Sequence, residues 1–278
     1  MRRTWLFVPG ADEAAQAAAA RSGADVLVQE LEDFTPPELR PKARSLAGKL
    51  YDRWRKAGAI AAVRVNPLGT CGREDLAAVL AGKPDIVMMS KVDSPEQVGA
   101  LAEAAPGVDL VPNVETARGL MRTYDIARAS PRVVALLVAS EDMVADLGTS
   151  RSRRGEELNY VRQRFLLECR AAGVEAIDAP YTFSDVKGAT ADAKWAQRMG
   201  YRMKSLVDPS HAKAVNKVFT PDLARAARIV TAFEKARAQG KDRARLDGAL
   251  VEVPIYAAAK RLIESVARTQ PQKQRKRD

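Results

Sequence analysis

Two carboxylates each follow an apolar run. Residues 110–114, LVPNV, lead directly to Glu115, and residues 133–138, VVALLV, lead through Ala139–Ser140–Glu141 to Asp142. Helix-compatible sequence follows both. Paired carboxylates with no histidine or thiol beside them are hard oxygen donors. Such a pair suits Mg²⁺ or Mn²⁺, completed by water and substrate. Zinc is not indicated. The one histidine is His211, and Cys71 and Cys169 match no zinc or redox spacing. Other apolar runs also end in charge: Glu30, Glu32 and Asp33 after the second, Arg64 in the third, Lys91 after the fourth, and Asp178 and Asp208 after the last two. A pocket of acids with one arginine and one lysine is costly to leave unfilled, and a divalent cation relieves the repulsion. Each acid alone also fits a blander role. Glu115 and Asp142 could sit in a helix first turn, where the dipole favours acids. Lys91 could be an ion-pair partner, and Asp208–Pro209 a turn. What unites them is their position at strand ends.

The elements that would position these groups repeat. Strands are expected over 5–8, 25–31, 60–67, 85–91, 109–113, 133–138, 174–180 and 203–207. Helices are expected over 13–21, 38–56, 74–80, 95–104, 116–128, 152–172 and 184–199. Most of the strands are continuous apolar runs, as suits parallel strands buried on both faces. Eight βα repeats favour a closed (β/α)8 TIM barrel, whose chemistry sits at the strand C-termini. No GxGxxG follows a strand, which weighs against a dinucleotide-binding sheet. After the eighth unit come a helix over 223–237, a connector over 240–245 and an apolar segment over 250–267. The expected domains are therefore a catalytic barrel over 1–220, a C-terminal helical extension over 221–267 packed on its own or a neighbouring barrel, and a basic disordered tail over 268–278.

At 278 residues the chain is long enough for one such barrel, and 29% charged residues suit a soluble globular protein. No run approaches the roughly 20 apolar residues of a membrane span, and the N-terminal apolar run is too short for a signal peptide. A cytoplasmic protein without membrane contact is the simplest reading. The net charge is +10, partly from the tail. A diffuse positive surface favours anionic partners. The tail reads as a disordered end, so nucleic acid is not expected as a partner.

The ordered motifs RTWLFVPG (3–10), GADVLVQELED (23–33), VRVNPLGT (63–70), VPNVETARGL (111–120), SEDMVADLG (140–148), AAGVEAIDAPY (171–181) and VNKVFTP (215–221) give the chain a resemblance. It resembles the HpcH/HpaI aldolase and citrate lyase β-subunit superfamily, in particular the citrate lyase β-subunit-like branch, over roughly residues 3–265. The resemblance implies a Mg²⁺-dependent barrel that cleaves a carbon–carbon bond in 3-hydroxyacyl thioesters of CoA or an acyl carrier. It implies that Glu115 and Asp142 are metal ligands. Arg64 would bind substrate and steady developing charge, and Glu32 and Asp33 would order the metal's water shell. Lys91, by its place at a strand end and not by the resemblance, is expected to bind substrate as well. A homo-oligomer, trimer or hexamer, is implied, in which Glu252 reaches a neighbour's site as the catalytic acid. Three departures stand out. The family usually has Asp where this chain has Glu30, Asp where it has Glu252, and His where it has Asp208. Alternatives are a thioesterase on the same substrates and a non-catalytic CoA-ester-binding or accessory protein.

Overall fold

The computed structural model describes residues 2–269. Their contacts divide into two units, 2–219 and 220–269. In the first, eight parallel strands close into a barrel in chain order. They are β1 (Thr4–Pro9), β2 (Val26–Glu30), β3 (Ile60–Val65), β4 (Ile86–Met89), β5 (Asp109–Val114), β6 (Ala135–Val138), β7 (Glu175–Asp178) and β8 (Met203–Leu206). β1 pairs with both β2 and β8, which completes the circle. The fold is the expected (β/α)8 TIM barrel.

Helices follow the strands: α1 (Glu13–Ala19), α2 (Arg40–Lys56), α3 (Gly72–Val79), α4 (Pro95–Ala104), α5 (Ala117–Met121), α6 (Thr123–Arg128), α7 (Glu141–Asp146), α8 (Asn159–Ala172), α9 (Val186–Met199) and α10 (Ala212–Phe219). Strand alternation sorts side chains into two layers. Phe7, Val28, Ala62, Met88, Val111, Leu137 and Ile177 cluster inside the barrel. Leu6, Val63, Val87, Leu136 and Leu206 pack outward with the helices.

Three expected elements differ. The helix expected over 116–128 is broken at Arg122 into α5 and α6. The Thr123 hydroxyl donates to the Gly119 carbonyl and competes with the helical ladder there. The helix expected over 152–172 starts its α-helical part only at Asn159. Before it, Ser152 donates through its hydroxyl and N–H to the Glu157 carboxylate, and Gly155 turns with φ 64°. The helix expected over 38–56 opens with a 3-10 turn, Pro37–Leu39. α10, after β8, was not anticipated.

One strand-end acid faces the other way. Ile177 lies in the barrel interior, so its neighbour Asp178 points outward. Asp178 accepts from Arg162 Nε at 2.8 Å and Nη2 at 2.6 Å, and from Lys204 Nζ at 2.7 Å. Asp192 joins from α9 with Arg162 at 2.9 Å. Arg162 also stacks on Trp195, 4.1 Å from the ring centre. Asp178 is thus a buried tie between β7, β8, α8 and α9, and not a member of the mouth.

The second unit is built on α11 (Leu223–Ala238) and α12 (Val253–Thr269), with a hairpin between them, β9 (Ala244–Leu246) and β10 (Ala249–Val251). The expected connector is therefore a hairpin. Asp247 and Gly248 form its two-residue turn with φ 51° and 80°, the left-handed pair that an Asp-Gly turn provides. Phe233 stacks on Tyr256 at 4.6 Å between ring centres, and the Tyr256 hydroxyl donates to Glu234. α12 runs through Thr269, and the rest of the basic tail lies outside the described residues.

Candidate active site

The strand register brings the charged residues together. Glu30 and Arg64 are paired neighbours on β2 and β3. Arg64, two residues after Ala62, faces the barrel interior and lies over Phe7, 5.0 Å from the ring centre. Its Nε donates to Glu30 Oε1 at 3.0 Å. Its Nη2 stands 3.3 Å from Glu32 Oε2 and 3.9 Å from Asp33 Oδ2. Its Nη1 stands 3.6 Å from Glu115 Oε1. Burial alone would lower the guanidinium's pKa, but Glu30, Glu115, Glu32 and Asp33 outweigh it and push it up.

Lys91 follows β4 and enters from the other side. Its Nζ donates to Glu32 Oε1 and lies 3.8 Å from Asp33 Oδ1. Its backbone is left-handed, with φ 54°. That is an uncommon conformation for a residue with a side chain, and one that clusters at functional sites. Burial would lower the ammonium's pKa. The Glu32 bond and the charges of Glu32, Asp33 and Asp142 reverse that and raise it.

Glu115 follows β5 directly and is fully buried. Neither carboxylate oxygen has a hydrogen-bond partner, and Glu32 Oε2 has none either. Arg64 is close to both, but its contacts are ion pairs without hydrogen-bond alignment. Burial pushes Glu115 up to about 8, with help from Glu32 and Asp142 and against Arg64. Asp142 lies half-buried in the first turn of α7, after β6, and its charge reaches both Glu115 and Lys91.

Five consecutive strands, β2 to β6, thus supply Glu32, Asp33, Arg64, Lys91, Glu115 and Asp142 to one mouth. Asp208 caps the 3-10 turn Pro209–His211 by accepting from the Ser210 N–H. Glu252 is exposed at the start of α12, in the second unit. The sequence reading missed Asn113. It lies two residues before Glu115 on the same inward face, buried, with both amide atoms unpartnered. Alternation back from Glu115 was the available signal.

A buried carboxylate without donors is the environment that a divalent cation relieves. The donors here are all carboxylate oxygens, the set that hard cations prefer. Among the described residues no group of three or more His, Cys, Asp or Glu is placed to hold an ion together. Two protein carboxylates, with water and substrate for the rest, is a normal Mg²⁺ shell. The residues therefore fit that ion.

Fold and mouth together define a (β/α)8 barrel with an acid-rich site around one arginine. Residues 3–209 match the model of the HpcH/HpaI aldolase/citrate lyase family. The chain belongs to that family. It is 34% identical over 256 residues to a (3S)-malyl-CoA thioesterase of Cereibacter sphaeroides, covering 90% of this chain and 89% of that protein. It is 30% identical over 280 residues to the citrate lyase subunit beta of Haemophilus influenzae, covering 95% and 96%. Among solved structures it resembles the CitE protein of Mycobacterium tuberculosis in complex with magnesium, acetoacetate and coenzyme A. The TM-score is 0.78 at 30% identity, over 95% of this chain and 98% of that one.

Proposed function

We propose that the protein is a Mg²⁺-dependent carbon–carbon lyase of the citrate lyase β-subunit type. Its substrate is a 3-hydroxyacyl thioester of citryl, malyl or citramalyl kind, carried on CoA or an acyl carrier. The observation that carries this reading is the buried Glu115 carboxylate, unpartnered at both oxygens beside Arg64. Glu115 and Asp142 would hold the ion. When bound, Mg²⁺ supplies Lewis-acid stabilisation of negative charge on a carbonyl oxygen.

The protein's own groups account for the rest. Cleavage breaks the C2–C3 bond of the acyl chain as the 3-hydroxyl loses its proton. C3 leaves as the carbonyl of an oxo acid, and the bonding electrons pass to the thioester half as an enolate. Arg64 offers its two terminal nitrogens to the developing negative charge, where a fixed cation in a dry site acts most strongly. Glu32 and Asp33 order water around the site, and Lys91 holds Glu32 in place. The enolate carbon must then gain a proton. Glu252 is the carboxylate assigned to both transfers: as a base it takes the 3-hydroxyl proton, and as an acid it returns that proton to the enolate carbon.

Incubating the protein and Mg²⁺ with a panel of 3-hydroxyacyl-CoA esters and weighing the products tests this. The expected products are a shorter acyl-CoA and an oxo acid. Free CoA with the intact hydroxy acid would establish thioester hydrolysis instead, a second reading favoured by the thioesterase relative. No product from any ester would leave a non-catalytic binder.

The reading also includes a cytoplasmic homo-oligomer, a trimer or hexamer, with sites completed in trans. Leu250, Val253 and Ile255 flank Glu252 with exposed apolar surface. An acid set in such a rim suits closure over a neighbour's mouth, where water would be excluded. Mixing Glu252→Gln with Glu115→Gln, each inactive alone, should restore part of the activity after subunit exchange. No recovery despite demonstrated exchange would contradict the trans arrangement.

A further inference from the structure

Glu30 takes no part in the chemistry above, yet its carboxylate is well engaged, while Glu32 and Glu115 keep unpartnered oxygens. Its Oε1 accepts from Arg64 Nε at 3.0 Å and from the Glu32 N–H at 2.6 Å. Its Oε2 accepts from the Phe34 N–H at 2.6 Å. Its carbonyl accepts from the Thr35 hydroxyl, which in turn accepts from the Gly10 N–H. A Cβ at Gly10 would meet that Glu30 carbonyl at 2.5 Å, so the β1 loop closes tightly on this point. One buried side chain therefore fastens two things: the guanidinium on β3, and the turn after β2 that carries Glu32 and Asp33.

The guanidinium is a flat fork with donors fixed in its plane. Holding its Nε edge sets the direction of the other two nitrogens. Glu30 occupies that edge and leaves Nη1 toward Glu115 and Nη2 toward Glu32 and Asp33. We infer that Glu30 is a positioning residue, which orients Arg64 and the Glu32–Asp33 turn as one unit toward the reacting atoms. The inference rests on the role proposed for Arg64. A carboxylate is needed because three N–H donors converge on it. The amide of Gln has one oxygen, and its NH₂ would face donors.

Glu30→Gln, Arg64→Lys and the double variant test this, with Glu30→Asp as a conservative control. Glu30→Gln should lower kcat about 100-fold, the scale of a misplacement near 1 Å, while KM moves far less. The double variant should be no slower than Arg64→Lys alone, because both changes remove one oriented unit. Glu30→Asp keeps the charge and should recover part of the loss. Mg²⁺-supported binding of oxaloacetate, measured by calorimetry, should be largely retained in Glu30→Gln, in line with the small change in KM. Losses that multiply in the double variant would overturn the inference and leave the proposed function standing. So would a lowered Tm with unchanged kcat in the folded protein. Wild-type protein that neither turns over a thioester nor binds oxaloacetate with Mg²⁺ would remove the proposed function, and the inference with it.

Discussion

Arg64→Lys is expected to lower turnover about 100- to 1,000-fold, the usual effect of removing one preorganised stabiliser of transition-state charge. The fold should survive. Lysine keeps the positive charge among Glu30, Glu32, Asp33 and Glu115 that makes Arg64 tolerable in a buried place. It cannot keep the geometry. One ammonium cannot donate to Glu30 on one side and present two coplanar nitrogens on the other. Rates on the best thioester, with circular dichroism and Tm as controls, measure this. Near-normal turnover would remove Arg64 from the mechanism.

Asp178→Asn is expected to act in the opposite way, on stability and not on the ion. Asp178 neutralises Arg162 and Lys204 where all three are buried. Removing one partner from such a network leaves buried charge uncompensated and typically costs about 3–5 kcal/mol. For a unit of this size that corresponds to a fall in Tm of roughly 6–20 °C. Mg²⁺ affinity should not change, because Asp178 points away from the mouth. A stable Asp178→Asn variant that binds Mg²⁺ poorly would reverse both statements.

Asp178 also shows where sequence reading runs out. From the chain alone, Asp178 and Glu115 look alike, since each ends or directly follows an apolar strand. A shift of one position in the alternation decides which faces the barrel axis. That shift shows only when Ile177 and Val111 are seen inside. The barrel itself was legible because eight apolar runs, most of them continuous, alternate with helices at a regular spacing. The acids of the mouth were legible because parallel barrels gather strand ends. Helix breaks were less so. Those at Arg122 and before Asn159 depend on side chains bonding to backbone, Thr123 to Gly119 and Ser152 with Glu157. The hairpin turn at Asp247–Gly248 carried a readable Asp-Gly signal that its short flanking strands obscured. The role proposed for Glu252 rests on resemblance alone, since an exposed acid beside a helix start has no local mark of function.

A calorimetric Mg²⁺ titration tests whether Glu115 and Asp142 hold a divalent cation, as proposed. Without the ion, burial raises Glu115 to about 8, so near pH 7 its carboxyl is mostly protonated. A carboxyl raised above its unfolded value stabilises the fold at low pH, and that contribution falls away as pH rises through about 8. Mg²⁺ requires the ionised form. Binding at pH 7 should therefore release roughly one proton per ion, and much less at pH 9. Titrations in buffers of different ionisation enthalpy read that proton directly. The expected result is one Mg²⁺ per chain in the wild type, proton release that fades with rising pH, and affinity lost in Glu115→Gln. A Glu115→Gln protein that binds Mg²⁺ as tightly as the wild type, with the same proton release, would contradict it.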